Sequence, residues 1–314
     1  MEQLSEGFVF TCIRPRAQES HKGSYGRLLA VAGSRRYRGA AGLAAEGALR
    51  AGVGIVTLAS VEPVVAAVAA RLPECCLLPC PEGADGGVSA GAAEELLAAR
   101  AGADVLLMGP GMGNTPDTRA LVRTLAGGAA GTVVLDADAL NAVSALLAAG
   151  EALPRPAGSL ILTPHPGEMA RLTGLAPAEI AADRPGVAAR YAGAWGCTLV
   201  LKGHRTIVAA PDGRLWLNTT GNAGLARGGS GDVLAGMTAG LAATARPPTA
   251  PPCAWASTGC CPTTSWPTSG PSLRRITGKQ RPGSAPGGRR RHGGVCPAGH
   301  RSLLRQKLTK TDHN

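Results

Sequence analysis

The sequence predicts an α/β protein built on an open, mostly parallel sheet with helices on both faces. Three observations carry that expectation. From residue 28 to residue 243, short apolar runs alternate with longer Ala-rich runs of helical period, the pattern of repeated βαβ units. Aromatic residues make up only 3% of a chain that is 45% hydrophobic, so Ala/Gly-rich helices pack closely on the sheet. Polar, glycine-rich loops follow several strands, where open α/β sheets bind their ligands.

The elements follow in order. Residues 1–20 read as an irregular leader containing Pro15. The HKGSYG run at 21–26 leads into a buried strand at 28–32, which Gly33 and Ser34 end. Residues 35–39 form a polar loop and 40–51 an Ala-rich helix. Gly52, Val53 and Gly54 turn the chain into a strand at 55–59, completing a βαβ unit with a right-handed crossover. Helices are then expected at 64–71, 92–101, 118–125 and 137–148, with strands at 75–78, 104–108, 132–135 and 159–162 between and after them. Residues 166–172 and 187–194 read as helices, and 198–201, 206–210 and 215–217 as strands. The last helix runs from 230 to 243.

No run of 18 or more apolar residues predicts a membrane helix, and the N-terminal acids Glu2 and Glu6 do not fit a signal peptide. A cytoplasmic protein is expected. The net charge of +11 is unevenly placed. Residues 246–314 hold 12 Lys/Arg and one acid; subtracting these from totals of 32 and 21 leaves 20 of each in 1–245. The body is neutral, so the basic excess does not point to nucleic acid. Of nine cysteines, Cys12, Cys75, Cys76, Cys80 and Cys197 lie in the body without metal or disulfide spacing, which reads as reduced thiols.

The pattern changes after Ala245. Residues 246–314 contain ten prolines, four cysteines and short Arg runs, with no sustained period. Three readings compete. One is a basic tail for nucleic acid or membrane. Another is a metal site from Cys260, Cys261, Cys296 and His300, for which adjacent cysteines fit a tetrahedral shell poorly. The third is a shifted reading frame in a GC-rich gene. Codons for 253–259 and 260–267 can be chosen that, read one base earlier, encode helix-like apolar segments. The third reading is preferred, with 21–245 as the catalytic domain.

The chemistry concentrates in residues 218–232, NTTGNAGLARGGSGD, which run directly into the last helix. Glycines allow backbone N–H groups to line one concave surface, and the helix adds its positive end. Asp232 stands beside this anion cradle. A cradle next to a base suggests phosphoryl transfer, with the base taking a hydroxyl proton. Taken alone, Asp232 is an ordinary first-turn residue favoured by the helix dipole.

Four more loops join it. GPGMG at 109–113 follows a strand with the wrong spacing for a dinucleotide fingerprint, and reads as a close backbone approach to a ligand. TPHPGE at 163–168 holds His165 at a rigid strand end, as a substrate contact or a structural histidine; Glu168 is a site residue or a first-turn helix residue. Lys202, Gly203, His204, Arg205 and Thr206 form a tight turn that is either a charged hairpin tip or a phosphate or adenine contact. Asp136 and Asp138 help hold Mg²⁺ through water, or Asp138 caps the next helix.

Together these loops resemble the ADP/ATP-dependent NAD(P)H-hydrate dehydratase family of the ribokinase-like superfamily. The matching text is HKGSYG at 21–26, AGS at 32–34 through GAA at 39–41, GPGMG, LDADALN at 135–141, TPHPGE, LKG at 201–203, and NTTGN through GGSGD at 218–232. The final GSGD marks the superfamily; the HPGE and NTTGN segments make the resemblance specific. It implies a three-layer α/β/α fold and a lyase that dehydrates the (S)-epimer of 6-hydroxy NADH or NADPH. ADP would phosphorylate the hydroxyl, giving AMP and, after elimination, phosphate.

By the same resemblance Asp232 is the base, and Gly229, Ser230 and Gly231 receive the phosphoryl group. Ala40 or Ala41, Gly111 or Gly113, and His165 contact the hydrate. Lys202, Gly203, His204, Arg205, Thr206 and Gly231 contact ADP. No dedicated protein metal site is implied beyond Mg²⁺ accompanying the nucleotide. A homotetramer is expected, with neither nucleic acid nor membrane as partner. The family is often fused to an N-terminal epimerase domain, and residues 1–20 read as a linker remnant. Alternatives are a hydroxymethylpyrimidine- or thiazole-type kinase of the same superfamily, and an inactive product carrying a nonsense tail.

Overall fold

A computed structural model describes residues 1–13, 15–128 and 131–244. The basic tail at 246–314, and with it the frameshift reading, lies outside the described residues.

The chain opens with β1 (Glu2–Gln3) and α1 (Glu6–Cys12), then alternates through β2 (Arg27–Val31), α2 (Arg38–Ala51), β3 (Ile55–Val61), α3 (Glu62–Ala69) and β4 (Cys76–Cys80). It continues with α4 (Ala93–Ala101), β5 (Val105–Met108), α5 (Pro116–Ala126), β6 (Thr132–Leu135), α6 (Asp138–Ala148) and β7 (Leu160–Leu162). Three consecutive helices follow, α7 (Pro166–Thr173), α8 (Pro177–Ala182) and α9 (Arg184–Trp195). After them come β8 (Thr198–Leu201), β9 (Thr206–Ala209), β10 (Leu215–Asn218) and α10 (Ser230–Thr244).

One sheet takes the strands in the order β1-β10-β9-β8-β7-β6-β5-β2-β3-β4. From β4 to β8 every pairing is parallel. β9 is antiparallel to β8 and to β10, and β1 lies parallel on β10. From β2 the chain first lays β3 and β4 to one side, then returns to lay β5 to β8 on the other. β2 and β5 therefore flank a topological switch point, the place where open α/β sheets bind their ligands. The loops after these two strands are tied by the Gly33 amide donating to the Pro110 carbonyl at 2.7 Å.

The continuous apolar runs are buried as their composition demands. All four residues of β5 and the last three of β6 are at most 1% exposed. Truncating one of them, such as Leu107→Ala, is expected to cost about 2–5 kcal/mol through lost burial and the cavity left behind.

The Ala/Gly bias has a direct structural use. α10 lies against β2, β5 and β6 and packs along α2. A Cβ on Gly47 would stand 2.7 Å from the Val233 carbonyl oxygen, and one on Gly240 2.7 Å from the Ala48 carbonyl oxygen. Gly236 meets the Ala44 carbonyl more closely still. Only glycine lets the two backbones approach this far. That approach seats the N-terminus of α10 over the strand ends.

Two expectations are corrected. Residues 2–12 are not irregular, although 15–20 are: β1 pairs with β10, the Leu4 amide donates to the Leu217 carbonyl at 3.0 Å, and Leu4 and Val9 are buried. A few apolar side chains, Leu4, Phe8, Val9 and Cys12, with a sheet edge to join order the segment. Residues 174–186, left without an element, carry α8 and the start of α9. The Asp183 carboxylate accepts from the Gly186 amide at 2.8 Å and starts α9 earlier than its apolar period suggests.

Candidate active site

The site begins at the first turn of α10. Gly229 adopts φ 87°, which favours glycine, and a Cβ there would lie 2.5 Å from Leu43 Cδ1 and displace that side chain's end. The Val233 amide donates to the Gly229 carbonyl at 3.1 Å, which starts the helix. The amides of Ser230, Gly231 and Asp232 precede any intrahelical acceptor and lie at the positive end of the helix. Asp232 is half-buried in this turn. Burial pushes its carboxyl up to about 6, the charges of Asp136 and Asp138 add to the shift, and Lys202 opposes it. It is thus ionised at neutral pH yet basic enough to take a proton.

Facing that turn is a buried polar cluster from the ends of β6, β7 and β8. Lys202 Nζ contacts Asp136 Oδ1 at 2.6 Å and Glu168 Oε2 at 3.7 Å. Asp136 is 1% exposed and Thr163 fully buried; the Thr163 hydroxyl donates to the same Asp136 oxygen at 2.7 Å. Lys202 therefore turns inward, and its Nζ lies 4.0 Å from where a Cβ on Gly231 would stand. Its ammonium stands beside the first turn of α10, whereas Gly203, His204 and Arg205 form the exposed hairpin tip.

His165 and Glu168 form a reciprocal cap on α7. His165 Nδ1 accepts from the Gly167 and Glu168 amides at 3.0 and 3.3 Å, and the His165 amide donates to Glu168 Oε2 at 2.7 Å. The first-turn reading of Glu168 holds, and the residue is also buried beside Lys202. His165 Nε2 lies 3.4 Å from Glu168 Oε1, on a side chain half open to solvent.

On the opposite wall the loops after β2, β5 and β6 meet. The Asp138 carboxylate accepts from the Gly113 amide at 2.8 Å, so it braces the GPGMG turn and does not cap α6, whose N-cap position is Ala137 with no side-chain cap. Between the two acids, Ala137 is held at φ 47° and ψ −114°. A non-glycine residue there stores backbone strain, a feature that clusters at functional sites. A Cβ on Gly111 would meet Ala40 Cβ at 2.7 Å and Tyr37 Cβ at 2.8 Å, which sets Ala40 beside the GPGMG turn. Ala41 is fully buried against Gly33. Of the two alanines, Ala40 is the one that keeps exposed surface.

Arg184, which carries no motif, holds the hairpin from beneath. Its guanidinium donates to the His204 carbonyl at 2.7 Å and to the Leu201 carbonyl at 3.1 Å, and Thr206 Oγ1 donates to the Gly203 carbonyl at 3.0 Å. Its only sequence signal is a basic residue opening a helix, where the dipole disfavours it.

The NTTGN segment leaves β10 in turns held by its own side chains. Asn218 Oδ1 accepts from the Thr220 amide and hydroxyl at 3.0 and 2.7 Å, and Asn222 Oδ1 from the Gly224 amide at 2.9 Å. Gln3 reaches across to Thr219 Oγ1 at 2.8 Å.

Among the described residues no three His, Cys, Asp or Glu side chains gather to hold a metal ion. Asp136 Oδ1 serves Lys202 and Thr163, and Asp138 serves Gly113 and Asn141. That donor set fits water-mediated contacts to a hydrated Mg²⁺ carried on nucleotide phosphates, not a protein cage. Cys75 and Cys80 are pushed up to about 11 and Cys197 to about 12, by burial in each case, which leaves them as inert thiols.

Comparison with known proteins identifies the family. The family model described as NAD(P)H-hydrate dehydratase matches residues 28–263. A bifunctional NAD(P)H-hydrate repair enzyme of Moorella thermoacetica is 48% identical over 73% of this chain, and the match covers 43% of the relative. The chain thus spans less than half the length of such bifunctional relatives. An ADP-dependent (S)-NAD(P)H-hydrate dehydratase of Neisseria meningitidis is 41% identical, with 74% of this chain and 75% of the relative covered. Among solved structures, the ADP/ATP-dependent NAD(P)H-hydrate dehydratase of Bacillus subtilis, co-crystallized with ATP/Mg²⁺, superposes with a TM-score of 0.69 at 32% identity, covering 83% of this chain and 86% of that one. A ribokinase-like superfamily protein of Enterococcus faecalis superposes equally well, at 27% identity. With the fold, the loop order and these likenesses in agreement, the chain belongs to the NAD(P)H-hydrate dehydratase family.

Proposed function

We propose that this chain dehydrates the (S)-epimer of 6-hydroxy NADH or NADPH with ADP as phosphoryl donor. The observation that carries the reading is Asp232, a carboxylate raised to about 6, at the open first turn of α10 and facing the Lys202–Asp136 pair. Asp232 takes the proton of the C6 hydroxyl as its oxygen bonds to the β-phosphorus of ADP. The bond from that phosphorus to the bridging oxygen breaks, and AMP leaves. The Gly229, Ser230 and Gly231 amides and Lys202 meet the negative charge that develops, as groups already oriented before reaction. The C6–O bond then breaks and phosphate departs with its electron pair. The ring nitrogen supplies electrons to C6, and loss of the C5 proton to the departing phosphate restores the dihydronicotinamide.

Ala40, Gly111, Gly113 and His165 line the hydrate side. Lys202 to Thr206 and Gly231 line the ADP side. Mg²⁺ arriving on the nucleotide, with Asp136 and Asp138 as outer contacts, would offset phosphate charge. The assembly expected from the family is a cytoplasmic homotetramer, which light scattering of the purified chain tests in part. The frameshift reading of 246–314 is retained as a proposal, tested by resequencing codons 240–260.

The test of function is phosphate release from purified chain, hydrated NADH or NADPH, and ADP. Stoichiometric AMP, phosphate and recovered 340 nm absorbance are expected, and ADP should raise the melting midpoint. Phosphorylation of a vitamin-precursor alcohol by ATP, with no turnover of either hydrate, would replace this reading with the kinase.

A further inference from the structure

We infer that Arg36 and Arg38, on the rim beside Gly111, bind the 2′-phosphate of the dinucleotide and make the hydrate of NADPH the preferred substrate. The inference rests on the dehydratase reading and names which hydrate the site takes.

The first argument is position. Tyr37 and Ala40 stand against Gly111, with Cβ atoms 2.8 and 2.7 Å from where a Cβ of Gly111 would be. Residues 35–38 thus continue the wall assigned to the hydrate. Lys202 and its hairpin occupy the other side of Asp232, where the reacting ring must lie. The remainder of a dinucleotide therefore leaves over the 35–38 rim.

The second is charge. Three arginines fall within four residues, and only one is committed to the fold. Arg35 forms a two-pronged pair with Glu82, at 2.7 and 2.8 Å, and its amide donates to the Gly86 carbonyl at 2.7 Å. It is a strut that fixes the loop after β4. Arg38 Nε donates to the Arg35 carbonyl at 3.2 Å, which orients the guanidinium while leaving both terminal nitrogens for a ligand. Arg36 makes no ion pair among the described residues, and its guanidinium lies 5.6 Å from the centre of the Tyr37 ring. The nearby carboxylate, Glu82, is spent on Arg35, though its field reaches Arg38.

The third is chemistry. A guanidinium matches phosphate oxygens with parallel N–H donors, and a phosphate monoester offers it a near-double charge. Tyr37 is 47% exposed and offers an aromatic face for the adenine on which that phosphate sits.

The test uses the full chain. KM is measured for NADPH hydrate and NADH hydrate with ADP, in the wild type, R36A and R36A/R38A. The wild type is expected to favour NADPH hydrate. The double variant should raise KM for NADPH hydrate about tenfold or more, the scale of charge-assisted hydrogen bonds, and leave NADH hydrate within about twofold. The ADP-induced melting shift should be unchanged. Salt at roughly 0.5 M should erode the same preference in the wild type, because the rim is exposed. Equal rises for both hydrates would overturn the inference and give the arginines to the diphosphate bridge; no rise for either would overturn it outright. Titration of NADPH against NADH by dihydronicotinamide fluorescence, without ADP, reads the arginines independently of turnover. A chain that prefers NADPH there but dehydrates neither hydrate would sink the dehydratase reading and leave the phosphate contact standing.

Discussion

The two sides of the site are built by opposite means. The wall at the ends of β6, β7 and β8 is made of side chains that satisfy one another: Lys202 on Asp136 and Glu168, Thr163 on Asp136, and Glu168 on the His165 amide. Its acids are buried, at 1% exposure for Asp136 and 5% for Glu168. The loop from 219 to 228 is exposed throughout, and its side-chain bonds are mostly local. The first wall is oriented before any ligand arrives, so its electrostatics need no reorganisation during reaction. The loop backbone instead turns on Asn218 and Asn222, whose side-chain oxygens accept from amides two residues on. Asp232 stands where the two meet.

The largest effect should come from that meeting point. Asp232→Asn is expected to lower turnover about 10²–10⁴-fold, the usual contribution of a positioned base, with ADP binding kept. In the wild type, activity should rise with pH through about 6 as the carboxylate ionises. Stability runs the other way. Because its carboxyl is raised from 3.8 to about 6 in the folded chain, the native state holds the extra proton in that window and stability falls as pH rises through it. Asp232→Asn should therefore melt higher than wild type at pH 7.5 without nucleotide, and the two curves should converge toward pH 3.8. A lower melting point at pH 7.5 would show that Asp232 supports the fold.

Next is the pre-built wall. Lys202→Met leaves Asp136 buried without its ion pair, which should cost about 3–5 kcal/mol in denaturant unfolding. Adding Asp136→Asn should recover part of that loss. A cost below about 1 kcal/mol would mean that the pair does not hold this wall together.

On the loop side the effect should be smaller. Gly229→Ala meets both an unfavourable φ and Leu43, and is expected to cost about 1–3 kcal/mol and to weaken ADP binding. Retained stability with lost ADP binding would confine its role to the cradle. Smallest is Ala137→Gly. Relief of strain at φ 47° is opposed by the added freedom of the unfolded chain, leaving a net gain of about 1 kcal/mol or less by thermal melt. A clear loss would show that the backbone there is unstrained.

Much of this was legible in the residues, for physical reasons that differ by element. The strands could be read because a sheet covered on both faces needs unbroken apolar runs, as at 105–108 and 132–135. The motif loops could be read because close backbone approach and anion binding demand glycine. Arg184 could not, because its partners are carbonyls at 201 and 204, and backbone carbonyls leave no trace in side-chain identity. Nor could the Asp138–Gly113 contact, which depends on β5 and β6 being neighbours in register. The first segment was misread because Leu4, Phe8, Val9 and Cys12 are too few to show a period, yet enough for the segment to dock beside β10.

By itself the sequence determined the α/β alternation, the family, and the set of motif loops at the strand ends, because each rests on local demands: burial, backbone freedom, and the charge at a helix end. Only the tertiary structure decided how those loops use their side chains. It turned Lys202 inward onto Asp136, put Ala40 rather than Ala41 beside Gly111, and made Asp138 a brace for the GPGMG turn. It also raised the Asp232 carboxyl by burying it among like charges. These outcomes depend on which strands lie side by side and how closely α10 approaches α2, and both are set by packing between residues far apart in the chain.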